Sequence, residues 1–280
     1  MTAPIVHHPF AVSLGPLSIT GFGIAVVAAF AIAQHVSEQE LIRRGHDATP
    51  IADMILAAVI GGLLGAKLYY VVILHHYDSL FTRGGFVFWG GLVGGMLAVM
   101  AVIRWKKIPM MRIFDVGGPA VAAAYAVGRT GCWAVGDDYG RPFDGFGAVV
   151  FPNGQPPSTV AAMMAEFHTR FPAGMNPNTL VSVYPTELYE VTLATIMFMI
   201  LWKLRDHKHA EGWLFGVYCV LAGFERFIIE FFRAKDDRFL GGLTYAQGIA
   251  LLFVAMGFVW MYLRRDTARG RPGIYAASRA

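Results

Sequence analysis

Charged residues set inside long apolar runs are the positions of this 280-residue chain at which chemistry is expected. Four stand out: Lys67, Arg129, Arg226 and Glu230. A charge near the bilayer centre costs on the order of 2.5–3.5 kcal/mol on insertion scales, so each needs a partner or a task. Arg226 and Glu230 are four residues apart and share a helical face. Arg129 lies in the run Gly128-Arg129-Thr130-Gly131-Cys132-Trp133. Two readings are open. In the structural one, Arg226 and Glu230 form an ion pair that glues helices, and Arg129 reaches up to the outer headgroups. In the chemical one, Arg129, Arg226 and the flanking Arg233 carry more positive charge than one carboxylate neutralises, and the surplus calls for an anion. Guanidinium groups hold phosphate in a planar, bidentate way and keep their proton, so a phospholipid headgroup entering from the outer leaflet is the expected partner. Lys67 either snorkels or lines the same cavity.

The segment Gly136-Asp137-Asp138-Tyr139-Gly140-Arg141-Pro142 follows directly. Adjacent carboxylates at a water boundary form a solvated turn or a helix stop. Their chemical reading makes Asp137 an orienter of Arg129 or a proton acceptor near the headgroup. His75 and His76 read as interfacial residues rather than bases, since nothing in the sequence orients them. Gly21-Phe-Gly23 and Gly145-Phe-Gly147 do not stand between a strand and a helix, so no nucleotide site is expected. Cys132 and Cys219 supply no disulfide framework, and no metal-ligand set and no cofactor are expected.

The elements that must position these residues are membrane helices. Apolar residues make up 56% of the chain and charged residues 15%, with a mean hydropathy of +0.51, which disfavours a soluble enzyme and excludes disorder. Seven stretches approach the length of about 20 residues that spans a bilayer: 19–36, 51–74, 86–103, 113–135, 186–202, 213–231 and 243–263. Lipid offers the backbone no hydrogen-bond partner, so they should be helices. Basic residues gather at alternate ends: Arg43 and Arg44; Arg104, Lys106, Lys107 and Arg112; Lys203, Arg205 and Lys208; Arg264, Arg265, Arg269, Arg271 and Arg279. The opposite side holds only Arg83, Arg141, Arg170, Arg233, Lys235 and Arg238. The expected fold is therefore an all-α integral membrane protein, one polytopic domain over residues 1–280, with the N-terminus outside and the C-terminus inside. This topology accounts for the pI near 9.1, so no nucleic-acid partner is expected. Residues 136–184, rich in Pro and Gly, should form a small irregular head between the fourth and fifth spans. The spacings Gly61–Gly65 and Gly91–Gly95 should let helix backbones approach closely.

These motifs together resemble the prolipoprotein diacylglyceryl transferase family. Gly128-Arg129-Thr130-Gly131 through Asp137, Gly140 and Arg141 is similar to its Gly-Arg-x-Gly signature. Tyr184-Pro185-Thr186-Glu187-Leu188-Tyr189-Glu190 is similar to its His-Pro-(Ser/Thr)-Gln-Leu-Tyr-Glu, and Arg226-Phe227-Ile228-Ile229-Glu230-Phe231-Phe232-Arg233 to its Arg-x-x-x-Glu-Phe-Phe-Arg. Gly65-Ala66-Lys67-Leu68-Tyr69-Tyr70 resembles its Gly-Ala-Arg-Leu-Tyr-Tyr stretch, and Gly248 follows a Gln as in the family. The chain departs from the pattern where the family carries polar groups. Trp89 stands where the family has a histidine read as a base, Cys132 and Val135 where it has asparagines, Ala222 where it has a tyrosine, and Phe22-Gly23 where it has Tyr-Gly.

The resemblance implies transfer of diacylglyceryl from phosphatidylglycerol to the lipobox cysteine of a prolipoprotein signal peptide, the first step of lipoprotein maturation, in a bacterial inner membrane and without metal. It implies a catalytic set of Arg129, Arg226, Glu230 and Asp137, and substrate contacts at Arg129, Gly140, Arg233, Lys67, Tyr69, Cys132, Trp89 and Glu187. Phosphatidylglycerol, the signal peptide and membrane lipids are the expected partners. The rival expectation is a paralogue that binds or transports phospholipid, or passes a lipid-derived group to another acceptor.

Overall fold

The apolar runs fold as helices, which satisfy every backbone group within the segment. The computed structural model describes residues 3–14, 17–79, 82, 85–234 and 242–266. Seven long helices fall where spans are expected: α1 (Gly21–Arg43), α2 (Pro50–Leu68), α3 (Phe88–Trp105), α4 (Met110–Val135), α6 (Thr186–Leu204), α7 (Trp213–Ile229) and α8 (Tyr245–Leu263). The short α5 (Val160–Phe167) lies between α4 and α6. Among the described residues, α1, α2 with the π-helical turn Tyr69–Ile73, α3 and α8 are long and apolar enough to cross a membrane. Outward faces rich in large apolar side chains, such as Leu63, Leu64, Leu252 and Val259, are what lipid contact requires. The basic residues Arg83, Lys235, Arg238, Arg269, Arg271 and Arg279 lie outside the described residues.

The chain divides into two compact units, Gln34–Gly117 and Met1–Ala33 with Gly118–Ala280. In the first, α2 packs on α3 through glycines. A Cβ added at Gly65 would lie 2.8 Å from the Gly94 Cα, and one at Gly61 would lie 2.7 Å from the Gly94 carbonyl oxygen. Gly61 and Gly65 thus meet Gly90, Gly94 and Ala98 of α3 most tightly, while Gly91 and Gly95 meet carbonyl oxygens of α2 at 3.3 and 3.2 Å. Lys67 donates to the Thr82 carbonyl at 2.9 Å and sits 5.1 Å above the Phe86 ring, so its charge is met locally. Tyr69 opens the π-helical turn, and Trp89 is 57% exposed with its ring edge-on to Phe88. His75 bonds the Tyr77 hydroxyl and His76 stacks on Tyr70. Buried Glu40 accepts from Arg43 and Arg44, and Arg44 also reaches Asp115 at 3.7 Å.

In the second unit, α6 buries Glu187, Glu190, Ala194, Met197 and Leu201. Their alternating three- and four-residue spacing makes one continuous stripe. The core around it comprises Ala122 from α4, Ala194, Met197 and Leu201 from α6, and Leu214 and Val217 from α7. Helices α7 and α8 approach at Gly216, Gly223 and Gly257, where added Cβ atoms would meet partner-helix atoms at 2.7 Å. Residues 136–184 close over a small core of Tyr139, Phe151, Met163 and Val183, all at most 1% exposed. Strand β1 (Ile5–Val6) pairs in parallel with β4 (Val149–Val150), and β2 (Ala11–Leu14) pairs with β3 (Leu17–Thr20) as a hairpin before α1.

Replacing Gly65 by Ala forces α2 and α3 apart, and overpacking of this kind costs about 1–3 kcal/mol. The thermal midpoint of the detergent-solubilised protein should fall for Gly65→Ala and stay unchanged for Gly62→Ala, whose Cβ would meet nothing nearer than 3.7 Å. Equal midpoints would contradict the backbone contact.

Candidate functional site

Helix α4 carries Tyr125, Arg129 and Cys132 at spacings of four and three residues, which put them on one face. Helix α6 contributes Glu187 and Glu190 from its buried stripe. Helix α7 contributes Glu225 and Arg226, its C-cap residue is Glu230, and Arg233 follows in the next turn. The turn after α4 supplies Asp137 and Asp138. All belong to one unit of the chain.

The guanidinium groups of Arg129 and Arg226 converge on one carboxylate. Arg129 Nη2 pairs with Glu190 Oε2, and Arg226 Nη1 lies 4.0 Å from Glu190 Oε1. Arg226 Nη2 also pairs with Glu230 at 2.8 Å, the expected four-residue pair. Asp138 joins the other two cations, accepting from Arg129 Nη1 at 2.9 Å and pairing with Arg233 Nη2 at 2.8 Å. Arg233 Nε lies 3.7 Å from Glu230, which closes the circuit. The carboxylates of Glu190 and Glu230 are 2% exposed, whereas Arg226 keeps 34% of its side chain open and Asp138 31%.

Three carboxylates thus meet three guanidinium groups, and Glu187, Glu225 and Asp137 add further acids nearby. The surplus of positive charge expected from the sequence is therefore absent. Sequence reasoning counted only Glu230 because Glu190 lies on another helix, far from Arg226 in the chain, and reaches the cluster through the packing of α6. Its signal was its place on the apolar stripe of α6, where a carboxylate needs a buried partner.

In the turn after α4 it is Asp138 that pairs with Arg129, beside Asp137, for which the sequence left open orienting Arg129 or accepting a proton. Asp138 is in the left-handed backbone conformation, which turns its side chain back toward the helix. Burial works against ionisation of Asp138, but Arg233 and Arg129 outweigh it and hold the carboxyl below its ordinary range. Asp137 is raised instead, first by burial and then by Asp138, although it accepts from the Cys132 thiol and feels Arg129. Cys132 is buried beside Arg129, whose Nη1 lies 3.3 Å from its sulfur. Glu187 is fully buried within electrostatic reach of Arg129, and neither of its oxygens has a hydrogen-bond partner among the described residues.

Gly140 holds backbones together. Its N–H donates to the Tyr184 carbonyl at 2.8 Å and it bridges to Arg233, while a Cβ there would lie 2.5 Å from the Phe232 oxygen. It thereby ties the α4 turn to the segment carrying Arg233. Lys67, Tyr69 and Trp89 belong to the other unit, Gln34–Gly117. Chemically, the arrangement offers a partly open guanidinium edge at Arg226 and Arg233, backed by acids that can exchange protons.

A family model described as prolipoprotein diacylglyceryl transferase matches residues 9–263. The phosphatidylglycerol–prolipoprotein diacylglyceryl transferase of Paraburkholderia xenovorans (strain LB400) is 30% identical over 285 residues, 91% of this chain and 93% of the relative. The protein of the same name from Streptococcus pyogenes serotype M3 is 27% identical over 267 residues, 92% of this chain and 95% of the relative.

The two adjacent aspartates should respond oppositely to neutralisation. A lowered folded pKa contributes stability that is present above the unfolded value, near 3.9, and is lost as pH falls through the folded value. A raised one contributes stability below the unfolded value that is lost as pH rises through the folded value. At pH 7, Asp138→Asn should therefore lower the thermal midpoint, through a loss of about 1.5–3 kcal/mol of stability from its charged hydrogen bonds. Asp137→Asn should raise it. Midpoints moving in the same direction would contradict the assignment of charge within the turn.

Proposed function

Because this chain belongs to the prolipoprotein diacylglyceryl transferase family, we propose that the guanidinium–carboxylate cluster is its reaction centre. The chain is a membrane transferase of lipoprotein maturation, and its substrates are phosphatidylglycerol and the lipobox cysteine of a prolipoprotein. The observation that carries this reading is the convergence of Arg129 and Arg226, from helices far apart in the chain, on Glu190. An anionic headgroup approaches along the exposed edge of Arg226 and Arg233 and competes with the carboxylates for their N–H groups. The cysteine sulfur attacks the diacylglyceryl carbon, the carbon–oxygen bond breaks, and glycerol phosphate leaves with the electron pair. Negative charge on the phosphoryl group rises as that bond breaks, so fixed guanidinium groups stabilise the transition state more than the diester.

In this reading Arg129 and Arg226 act on the phosphate, Glu230 positions Arg226, and Arg233 binds the headgroup. Asp137, Cys132 and Glu187 form the wall beside Arg129. Gly140 acts by fixing Arg233 rather than by touching substrate. Lys67, Tyr69 and Trp89 are proposed contacts for lipid chains or the signal peptide. All seven long helices span a bacterial inner membrane, with the N-terminus and residues 136–184 outside, where the precursor's cysteine is presented.

Labelled phosphatidylglycerol in vesicles and a peptide with a lipobox cysteine test the proposal, with thioether and glycerol phosphate as readouts. The intact chain should yield both in equal amounts. Arg129→Ala and Arg226→Ala should each slow product formation by about 10²–10³-fold, the usual loss for one preorganised charge donor. Arg226→Lys should recover only part of this, since an ammonium lacks the planar fork. Unchanged rates in the alanine variants, or phosphate release without thioether, would overturn it.

A further inference from the structure

Glu225 is 7% exposed within apolar α7, yet among the described residues it forms no ion pair with the three arginines, whose charges Glu190, Glu230 and Asp138 already match. An acid that is not needed for neutralisation and still stands inside a membrane helix has a cost that calls for a task. Its hydrogen-bond partner is the Tyr125 hydroxyl, at 3.4 Å from Oε1. Tyr125 is one helical turn before Arg129 and shares its face. The tyrosine packs against the apolar core that α4, α6 and α7 form around Ala122, Ala194 and Leu214. The titratable and charged groups facing the pair are Arg129 from α4, Arg226 and Tyr218 from α7, Arg233 beyond it, and Asp138 from the turn.

We propose that Tyr125 and Glu225 form the proton relay for the incoming thiol, a role that rests on the transferase reading. As sulfur attacks the diacylglyceryl carbon, the S–H bond breaks and its proton passes to the Tyr125 oxygen, while the tyrosine's own proton passes to Glu225. The carbon–oxygen bond breaks and its electron pair stays on the departing phosphate. Glu225 then returns its proton through Tyr125 to that phosphate, so the thiol proton ends on glycerol phosphate and both side chains are restored. A hydroxyl suits the position, because it accepts and donates at once and adds no charge between two arginines. Glu187, a buried acid near Arg129 outside the ion-pair circuit, has no hydrogen-bond partner among the described residues and so has no such path.

The test uses the full chain with phosphatidylglycerol vesicles and a lipobox peptide, following thioether formation from pH 6 to pH 9.5. Tyr125→Phe and Glu225→Gln should lower kcat at pH 7 by about 10²-fold, within the usual range for a positioned acid–base group. The KM for phosphatidylglycerol should stay within about twofold, and Glu225→Asp should restore part of the rate. The deficit should shrink as pH rises past about 8.5, where the peptide thiol ionises by itself. A deficit that is constant with pH identifies a packing role and overturns the relay, as do rates within twofold of the parent. A pH-dependent deficit in Glu187→Gln instead would also overturn it. Absence of thioether from the unsubstituted chain would overturn the transferase reading itself.

Discussion

A carboxylate shared by two guanidinium groups inside an apolar helical layer is the constraint on which the rest of the site depends. Glu190 is fixed by its position on the α6 stripe, with Ala194, Met197 and Leu201 packed below it. Neither Arg129 nor Arg226 could be buried to this degree alone, and removing one member of such a set leaves an uncompensated charge in a medium that solvates it poorly. The geometry of α4, α6 and α7 is therefore locked by charge at one end and by apolar packing along the remainder.

The same constraint explains the turn that follows α4. Asp138 must reach two arginines that are distant in the chain, and the left-handed conformation at that residue turns it inward. Gly140 allows the backbone to lie against Tyr184 and Phe232, which sets the position of Arg233. Residues 136–184 then have a structural reason for their own small core: they hold the strand-like contacts that keep this turn in place. A segment that looks like a long loop in sequence is thereby a fixed support for the charges.

An anion arriving at this cluster meets guanidinium groups that already have partners. In the proposed reaction, binding would be an exchange in which phosphate oxygens replace carboxylate oxygens, and it would favour a partner whose charge grows during reaction over one whose charge stays constant. The buried acids set the proton inventory of this exchange. Glycine contacts elsewhere perform a different task, since α2 and α3, and α7 and α8, come close because hydrogen replaces side chains at the crossing.

Much of this protein follows from composition and pattern alone. Seven apolar stretches fold as helices, four of them long and apolar enough to cross a membrane among the described residues, and Arg129, Arg226 and Glu230 were conspicuous because charge in apolar stretches is costly. The four-residue spacing fixed the Arg226–Glu230 pair before any fold was known. The partner of an arginine on another helix is not a property of local spacing, however. Glu190, Asp138, Tyr125 and Glu225 entered the site only through the packing of α6 against α7, the turn after α4 and the rotation of α4 about its axis. For the same reason, the glycine spacings showed that α2 and α3 could pack closely, but not which glycines would meet across them. Periodicity determines which residues share a face, and only the assembled tertiary structure decides which face that one meets.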